Sequence, residues 1–476
     1  MDWSGTLVHF AAEFPDLLVM SDLLLPIEVP SRRRLGIESA LRDAVRSKRL
    51  AAGARLPSTR VLAAELGVAR ATVVAAYEQL IAEGYLIANQ GGGTRVARLH
   101  DAVDRPASTR RTDHGMVVDL VPGEPDRSSF PRAAWMRSTR EMLRTGTDEL
   151  FGYGDTNGLD DLRDALVGYL ARTRRVDTEA SNVSIVGGIA SGLGHLARMF
   201  AGLGISSIAV EDPGFPFHRD VLRRVGLDLV PIPVDDEGIV VDALDRSAAR
   251  AVLVTPAHQY PMGMVLSAAR RAELIGWART RDAWIVEDDY DGEFRYDRQP
   301  IGSLQGLDPS RVIYAGTASK MLAAALRIGW MAIPGALVKP FARLRGRDPE
   351  VSRLEQATLG VMIANGALDR HVRAMRTVYR RRRDALVASV GALPGAPLEL
   401  MGIAAGLHLT ALLPEGRDEA ALVALAAHES MALWGLAQHW VEPRDDRRGG
   451  LVLGFSRATS LQFSRSVEHL CRLLLS

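Results

Sequence analysis

Five short polar stretches carry most of the residues in this chain that could do chemistry: VGGIAS (186–191), EDPGF (211–215), TPAHQYPMG (255–263), EDDYDGEF (287–294) and GTASK (316–320). Each borders an apolar, strand-like run, and in open α/β sheets ligands bind outside the carboxyl ends of the strands. Gly187 and Gly188 lead from a strand into a helix, where free backbone N–H groups and the helix dipole favour an anion such as phosphate. Thr317, Ser319 and Arg327 offer hydroxyl and guanidinium donors to the same anion. Asp288 closes the run WIVED and can hold a protonated ring nitrogen. Tyr290, two residues on in an extended stretch, points to the same side and can donate to a phenolate oxygen. Phe215 supplies a flat face, and His258 reads as a hydrogen-bonded pocket wall.

Lys320 completes the set. Of 58 basic residues only Lys48, Lys320 and Lys339 are lysine. Arg stays protonated at any physiological pH, whereas Lys loses its proton in a dry, cationic pocket and can then condense with an aldehyde. Phosphate cup, ring carboxylate, phenol, aromatic platform and amine are what pyridoxal 5′-phosphate requires. Its ring acts as an electron sink only while an acid keeps the ring nitrogen protonated, and a Lys holds it as a Schiff base.

The elements that must position these groups follow from the alternation of the chain. SNVSIVG, ISSIAVEDP, RAVLVTP and RVIYAGT are apolar runs each followed by a helical pattern, and DAWIVEDDY is a further strand. Strands alternating with helices predict an α/β fold, a mostly parallel sheet with helices on both faces. From about residue 375 the pattern turns helix-rich, with strands at LHLTALL and GLVLGFS, which predicts a small C-terminal α+β subdomain.

The first part of the chain is of another kind. Between Ser31 and His100 stand twelve Arg or Lys against five Asp or Glu, a balance of +7 within a net charge of +1 for the whole chain. A basic module on a mildly acidic body predicts a polyanion as partner of that module alone. Ile37, Leu41, Val45 and Leu50 recur at helical spacing; Ser58 is a candidate N-cap, Gly67 a break, and residues 70–83 resume a helix. The pattern is a helix-turn-helix, and GYLIANQGGGTRVARL adds a hairpin wing. Arg70 and Thr72 open the recognition helix, Arg55, Ser58 and Arg60 start the preceding one, and Thr94 and Arg95 are read at the wing tip. The expected partner is double-stranded DNA.

The expected boundaries are a leader at 1–30, the winged module at 31–98, a polar linker at 99–116 and the body at 117–476. No apolar run approaches the ~20 residues of a bilayer span, the leader DLLVMSDLLL carries Asp16 and Asp22 unlike an export signal, and the single Cys471 cannot form an intrachain disulfide. A cytoplasmic protein with no membrane partner is expected.

Six stretches in order, RLPSTRVLAAELGVARATVVAAYEQLIAEGYL, FGYGDTNGLDDLR, EDPGF, TPAHQYPMG, EDDYDGEFRY and GTASKMLAAALRIGW, resemble the MocR/GabR group of bacterial regulators, a GntR-type winged helix-turn-helix joined to a fold-type I aminotransferase-like domain. The resemblance implies Lys320 as the Schiff-base lysine, Asp288 at the pyridine nitrogen, Tyr290 at the phenolic oxygen, Phe215 against the ring, and Ser319 and Arg327 near the phosphate. It further implies a head-to-tail homodimer in which Tyr153 reaches the neighbouring cofactor. Two positions depart from the group. Where one or two Gln usually stand, Ile189 and Ala190 leave the phosphate to the backbone of Gly188, Ile189 and Ala190. Where related aminotransferases grip a substrate carboxylate with Arg, this chain has Val452, with Arg457 and Arg444 nearby. The leading expectation is a regulator that senses the cofactor and an amine or amino-acid effector through aldimine chemistry at Lys320. The alternatives are a working aminotransferase that also binds DNA, and a regulator of vitamin B6 supply that senses cofactor occupancy alone.

Overall fold

In a computed structural model of the chain the described residues are 33–89, 93–98, 118–297, 301–346, 349–394, 398–442 and 447–475. The leader at 1–30, the linker at 99–116 and Arg444 lie outside them. The chain divides into two compact units between residues 112 and 113.

The first unit consists of α1 (Arg33–Arg46), α2 (Thr59–Glu65), α3 (Arg70–Ala82) and an antiparallel pair, β1 (Leu86–Asn89) and β2 (Gly93–Val96). The Ser58 hydroxyl accepts the Val61 N–H at 3.3 Å and so caps α2. The apolar positions of the three helices converge: Ile37, Leu41, Leu62, Val73, Tyr77 and Leu80 are buried in one cluster with Leu86 of the wing. Arg42 forks onto Glu83 and ties α1 to the end of α3.

The second unit is built on an eight-stranded sheet. Its strands are β3 (Val183–Val186), β4 (Ser207–Asp212), β5 (Asp228–Asp235), β6 (Gly238–Ile239), β7 (Ala251–Val254), β8 (Trp284–Asp288), β9 (Val312–Thr317) and β10 (Gly329–Ala332), in the order β3-β10-β9-β8-β7-β4-β5-β6. The run from β9 to β5 is parallel; β10 lies antiparallel between β3 and β9, and β6 folds back on β5. β3, β7 and β9 are buried along their whole length, as a sheet covered on both faces requires. The expected strands form. β5 and β10 were not expected: DLVPIPVD holds two prolines, which argue against a strand, and GWMA follows directly on the stretch read as a helix.

One expectation is corrected. The residues after β9 read as a helix, yet they form an eleven-residue connection, 318–328, with a single 3₁₀ turn at Ala324–Leu326. Ala318 N–H donates to the Ile328 carbonyl at 2.9 Å because the chain must return at once as antiparallel β10. Tertiary pairing overrides the helix propensity of LAAAL here.

The C-terminal part carries the long helix Ala367–Gly391 and an antiparallel sheet of β11 (Glu399–Met401), β12 (His408–Leu412), β13 (Trp434–Gly435) and β14 (Gly450–Gly454), ordered β11-β12-β14-β13. It shares its core with the body: Leu166, Leu359, Met375, Leu409, Leu451 and Leu470 belong to one buried cluster. Among the described residues no helix is long and apolar enough to cross a membrane.

Candidate functional site

A cavity of about 490 Å³ opens at the carboxyl ends of β3, β4, β7, β8 and β9. Gly188, Ile189, Ala190, Phe215, Asp288, Tyr290, Thr317, Ser319, Lys320 and Arg327 all line it. They come from four separate strand ends and, with Arg327, from the connection after β9, and α4 (Ile189–Gly202) starts at the cavity wall. Tyr153 does not line this cavity; its side chain is 82% exposed.

Gly188 takes φ +92, and a Cβ there would lie 3.3 Å from the Arg327 guanidinium. Glycine thus lets the arginine close over the start of α4. Arg327 sits at φ +52 at the end of the 3₁₀ turn, and its guanidinium has no hydrogen-bond or ion-pair partner among the described residues. Beside it, Thr317 donates to the Ile328 carbonyl and accepts the Ser319 N–H at 3.0 Å, which orders the connection that carries Lys320.

Asp288 is 3% exposed, and its Oδ1 has no hydrogen-bond partner among the described residues; Oδ2 faces Nδ1 of His218 at 3.3 Å. Burial first, then the neighbouring Asp289, raises its pKa well above the carboxylate range, while Lys320 opposes the shift. Burial and Lys320 push His218 down to about 3, so the imidazole is neutral at physiological pH. The Lys320 amine donates to the Gly123 carbonyl, and burial lowers its pKa against the pull of Asp288, Asp291 and Glu124. Tyr290 donates to the His258 carbonyl at 3.1 Å, and Nδ1 of His258 lies 3.0 Å from Asp291 and 3.1 Å from the Tyr290 hydroxyl. His258, expected as a pocket wall, is not among the residues lining the main cavity. Phe215 packs edge-on against Tyr260 at 5.1 Å and His218 at 4.8 Å.

A buried fork holds the loop after β8 in place. Arg174, 1% exposed, binds both oxygens of Asp289 at 2.5 and 2.9 Å, and Tyr314 donates to the same carboxylate at 2.7 Å. Asp289 sits between Asp288 and Tyr290, so this pair sets where both side chains point.

The sequence did not single out His218, Tyr260, His408, Trp434 or the segment Val121–Glu124, all of which line the cavity. Only Tyr260 had a signal, its place in a strand-end stretch already quoted. Val452 is fully buried on β14 and takes no part in the cavity, whereas Arg457 lines it, held by Asp119 at 2.9 Å and Glu124 at 3.7 Å.

In the first unit Arg55, Ser58, Arg60 and Arg70 are exposed, and Thr72 is half-buried. Arg70 Nε donates to Thr59 at 3.4 Å, joining the starts of α2 and α3. Thr94 and Arg95 stand within β2, with the Arg95 guanidinium on the Gly53 carbonyl at 2.9 Å.

Residues 116–433 match the aminotransferase class I and II family, and residues 34–96 match the gntR family of bacterial regulatory proteins. The chain is 36% identical to the probable rhizopine catabolism regulatory protein MocR of Rhizobium meliloti, over 76% of this chain and 77% of that one. It is 32% identical to the HTH-type pyridoxine biosynthesis transcriptional regulator PdxR of Corynebacterium glutamicum, over 90% and 94%. The fold is similar to that of a kynurenine aminotransferase of Pyrococcus horikoshii solved with PMP, at TM-score 0.69 and 23% identity, over 76% and 92%. A gntR-type helix-turn-helix followed by an aminotransferase-like body, shared with such relatives over most of the chain, makes this protein a member of the MocR-type family of GntR transcriptional regulators.

Proposed function

We propose that the body is a sensor: it binds pyridoxal 5′-phosphate, responds to a small-molecule amine or amino-acid effector, and governs DNA binding by the winged unit. The observation that carries this is the unpartnered Oδ1 of buried Asp288, in one cavity with Lys320 and the unpaired guanidinium of Arg327. A buried carboxylate oxygen without a donor is costly unless a ligand supplies one, and a cationic ring N–H is such a donor. The relatives support the same cofactor, since one is named for pyridoxine biosynthesis and a protein of the same fold was solved with PMP.

When bound, the cofactor supplies an aldehyde and an electron-withdrawing ring. Asp288 holds the proton at the ring nitrogen, and neutral His218 on its other oxygen adds no competing charge. The Tyr290 hydroxyl, steadied by His258, faces the phenolic oxygen. Phe215 covers the ring, and the partly desolvated Lys320 offers its amine to the aldehyde. Thr317, Ser319, Arg327 and the backbone of Gly188, Ile189 and Ala190 take the phosphate. Exposed Tyr153 serves the neighbouring cavity of a homodimer. Arg55, Ser58, Arg60, Arg70 and Thr72 meet operator DNA from α2 and α3, with Thr94 and Arg95 on the wing, and the protein works in the cytoplasm.

The test is the visible absorbance of the protein mixed with pyridoxal 5′-phosphate, for wild type and Lys320→Ala. A band present in the first and lost in the second is expected; a band kept by the variant would remove Lys320 from the site.

A further inference from the structure

The two glycines ahead of α4 face opposite charges. A Cβ at Gly188 would meet Arg327 at 3.3 Å, whereas one at Gly187 would meet a carboxylate oxygen of Glu350 at 3.2 Å. That carboxylate already takes donors at the start of α4: the Gly187 N–H at 2.8 Å and the Ser191 hydroxyl at 2.6 Å, together with Nε2 of His195. Arg198 donates to Nδ1 of His195 at 2.8 Å. Arg345, the nearest guanidinium, stands 3.9 Å away and spends a donor on the Ile185 carbonyl. Against burial, which pushes it up, the bonds from His195, Ser191 and Gly187 hold Glu350 down to about 2.

A helix N-terminus is equivalent to about half a positive charge, which is what draws a phosphate to it. Here an anion belonging to the chain itself occupies one flank of that terminus. A phosphate arriving on the Arg327 flank meets a terminus that is partly neutralised and a like charge behind it. Resting on the proposed cofactor reading, we infer that Glu350 is an affinity-setting residue: it weakens the phosphate cradle so that pyridoxal 5′-phosphate occupancy follows the free cofactor concentration instead of saturating. Such detuning suits a sensor, because a site that is always full reports nothing.

The experiment is isothermal calorimetry on the full-length protein with two probes, pyridoxal 5′-phosphate and pyridoxal, for wild type and Glu350→Gln. Gln keeps an acceptor for Gly187 and Ser191 but removes the charge; Glu350→Ala serves if Gln impairs folding. The expected result is phosphate-ester binding tightened about three- to tenfold, with pyridoxal unchanged. A merely structural role would move both probes alike. Unchanged or weaker phosphate-ester binding, or equal tightening of both probes, overturns the inference. If wild type binds no pyridoxal 5′-phosphate, it is the cofactor reading that fails. If wild type binds it with a Lys320-dependent band and Gln changes nothing, only the role of Glu350 fails.

Discussion

Replacing Asp288 with Asn should stabilise the cofactor-free protein and weaken its hold on the cofactor. The carboxylate is 3% exposed, one oxygen has no partner among the described residues, and Asp289, Asp291 and Glu211 add like charge. An unsatisfied buried polar group costs about 1–3 kcal/mol, much of which the neutral amide recovers. The body unit spans residues 113–476, and at about 2.1 cal/mol/K per residue its unfolding entropy is roughly 0.8 kcal/mol/K. The cofactor-free melting temperature should therefore rise by about 1–4 °C. In the loaded protein a charge-assisted bond to the ring nitrogen is lost, worth about 1.5–3 kcal/mol, or roughly ten- to a hundredfold in cofactor affinity. The pH dependence has a definite sign. The folded pKa of Asp288 is raised above its unfolded value, so the folded state binds more protons and this group's contribution declines as pH rises from about 4 through the folded value. Scanning calorimetry should then find a larger gain from Asn at about pH 8 than at about pH 5. A cofactor-free variant that melts below wild type, or one that binds the cofactor equally well, would refute the reasoning.

Other substitutions probe the supports. Arg174→Ala strands a buried carboxylate and should cost about 3–5 kcal/mol, whereas Arg174→Met with Asp289→Asn should recover much of that in the same melts. Ser58→Ala removes the cap of α2 and should lower the stability of the winged unit by about 1 kcal/mol, read by denaturant titration. Arg70→Ala should weaken DNA binding and reduce the slope of log affinity against log salt by about one if Arg70 meets phosphate; an unchanged slope points instead to base contact or none. Mixing the protein with amino acids and 2-oxoglutarate should give no sustained turnover, since Val452 is buried and Arg457 is already paired. Repeated turnover, followed by product chromatography, would favour a working transaminase.

The legible part of the site was the part set by strand ends. Lys320, Asp288, Tyr290, Phe215 and Arg327 each sit just beyond an apolar run or on the connection after one, and a parallel sheet brings such ends together whatever the loops do. His408, Trp434 and Glu124 carried no comparable signal, because their place depends on how the C-terminal sheet and the segment before residue 130 fold over the cavity, while His218 stands in the helix Pro216–Arg224 just beyond Phe215. The connection 318–328 misread as helix for a related reason: local propensity says nothing of a partner strand waiting eleven residues on.

Residue chemistry decided the amine, since only Lys can give up its proton and condense, and period and charge decided a basic helix-turn-helix ahead of an α/β body. Tertiary structure alone decided which oxygen of Asp288 is left without a donor, that Arg457 is engaged by Asp119, and that Glu350 reaches Gly187 across 163 positions of chain. Pairings of that kind are electrostatic and geometric, and they exist only once burial has removed water and folding has fixed the distances.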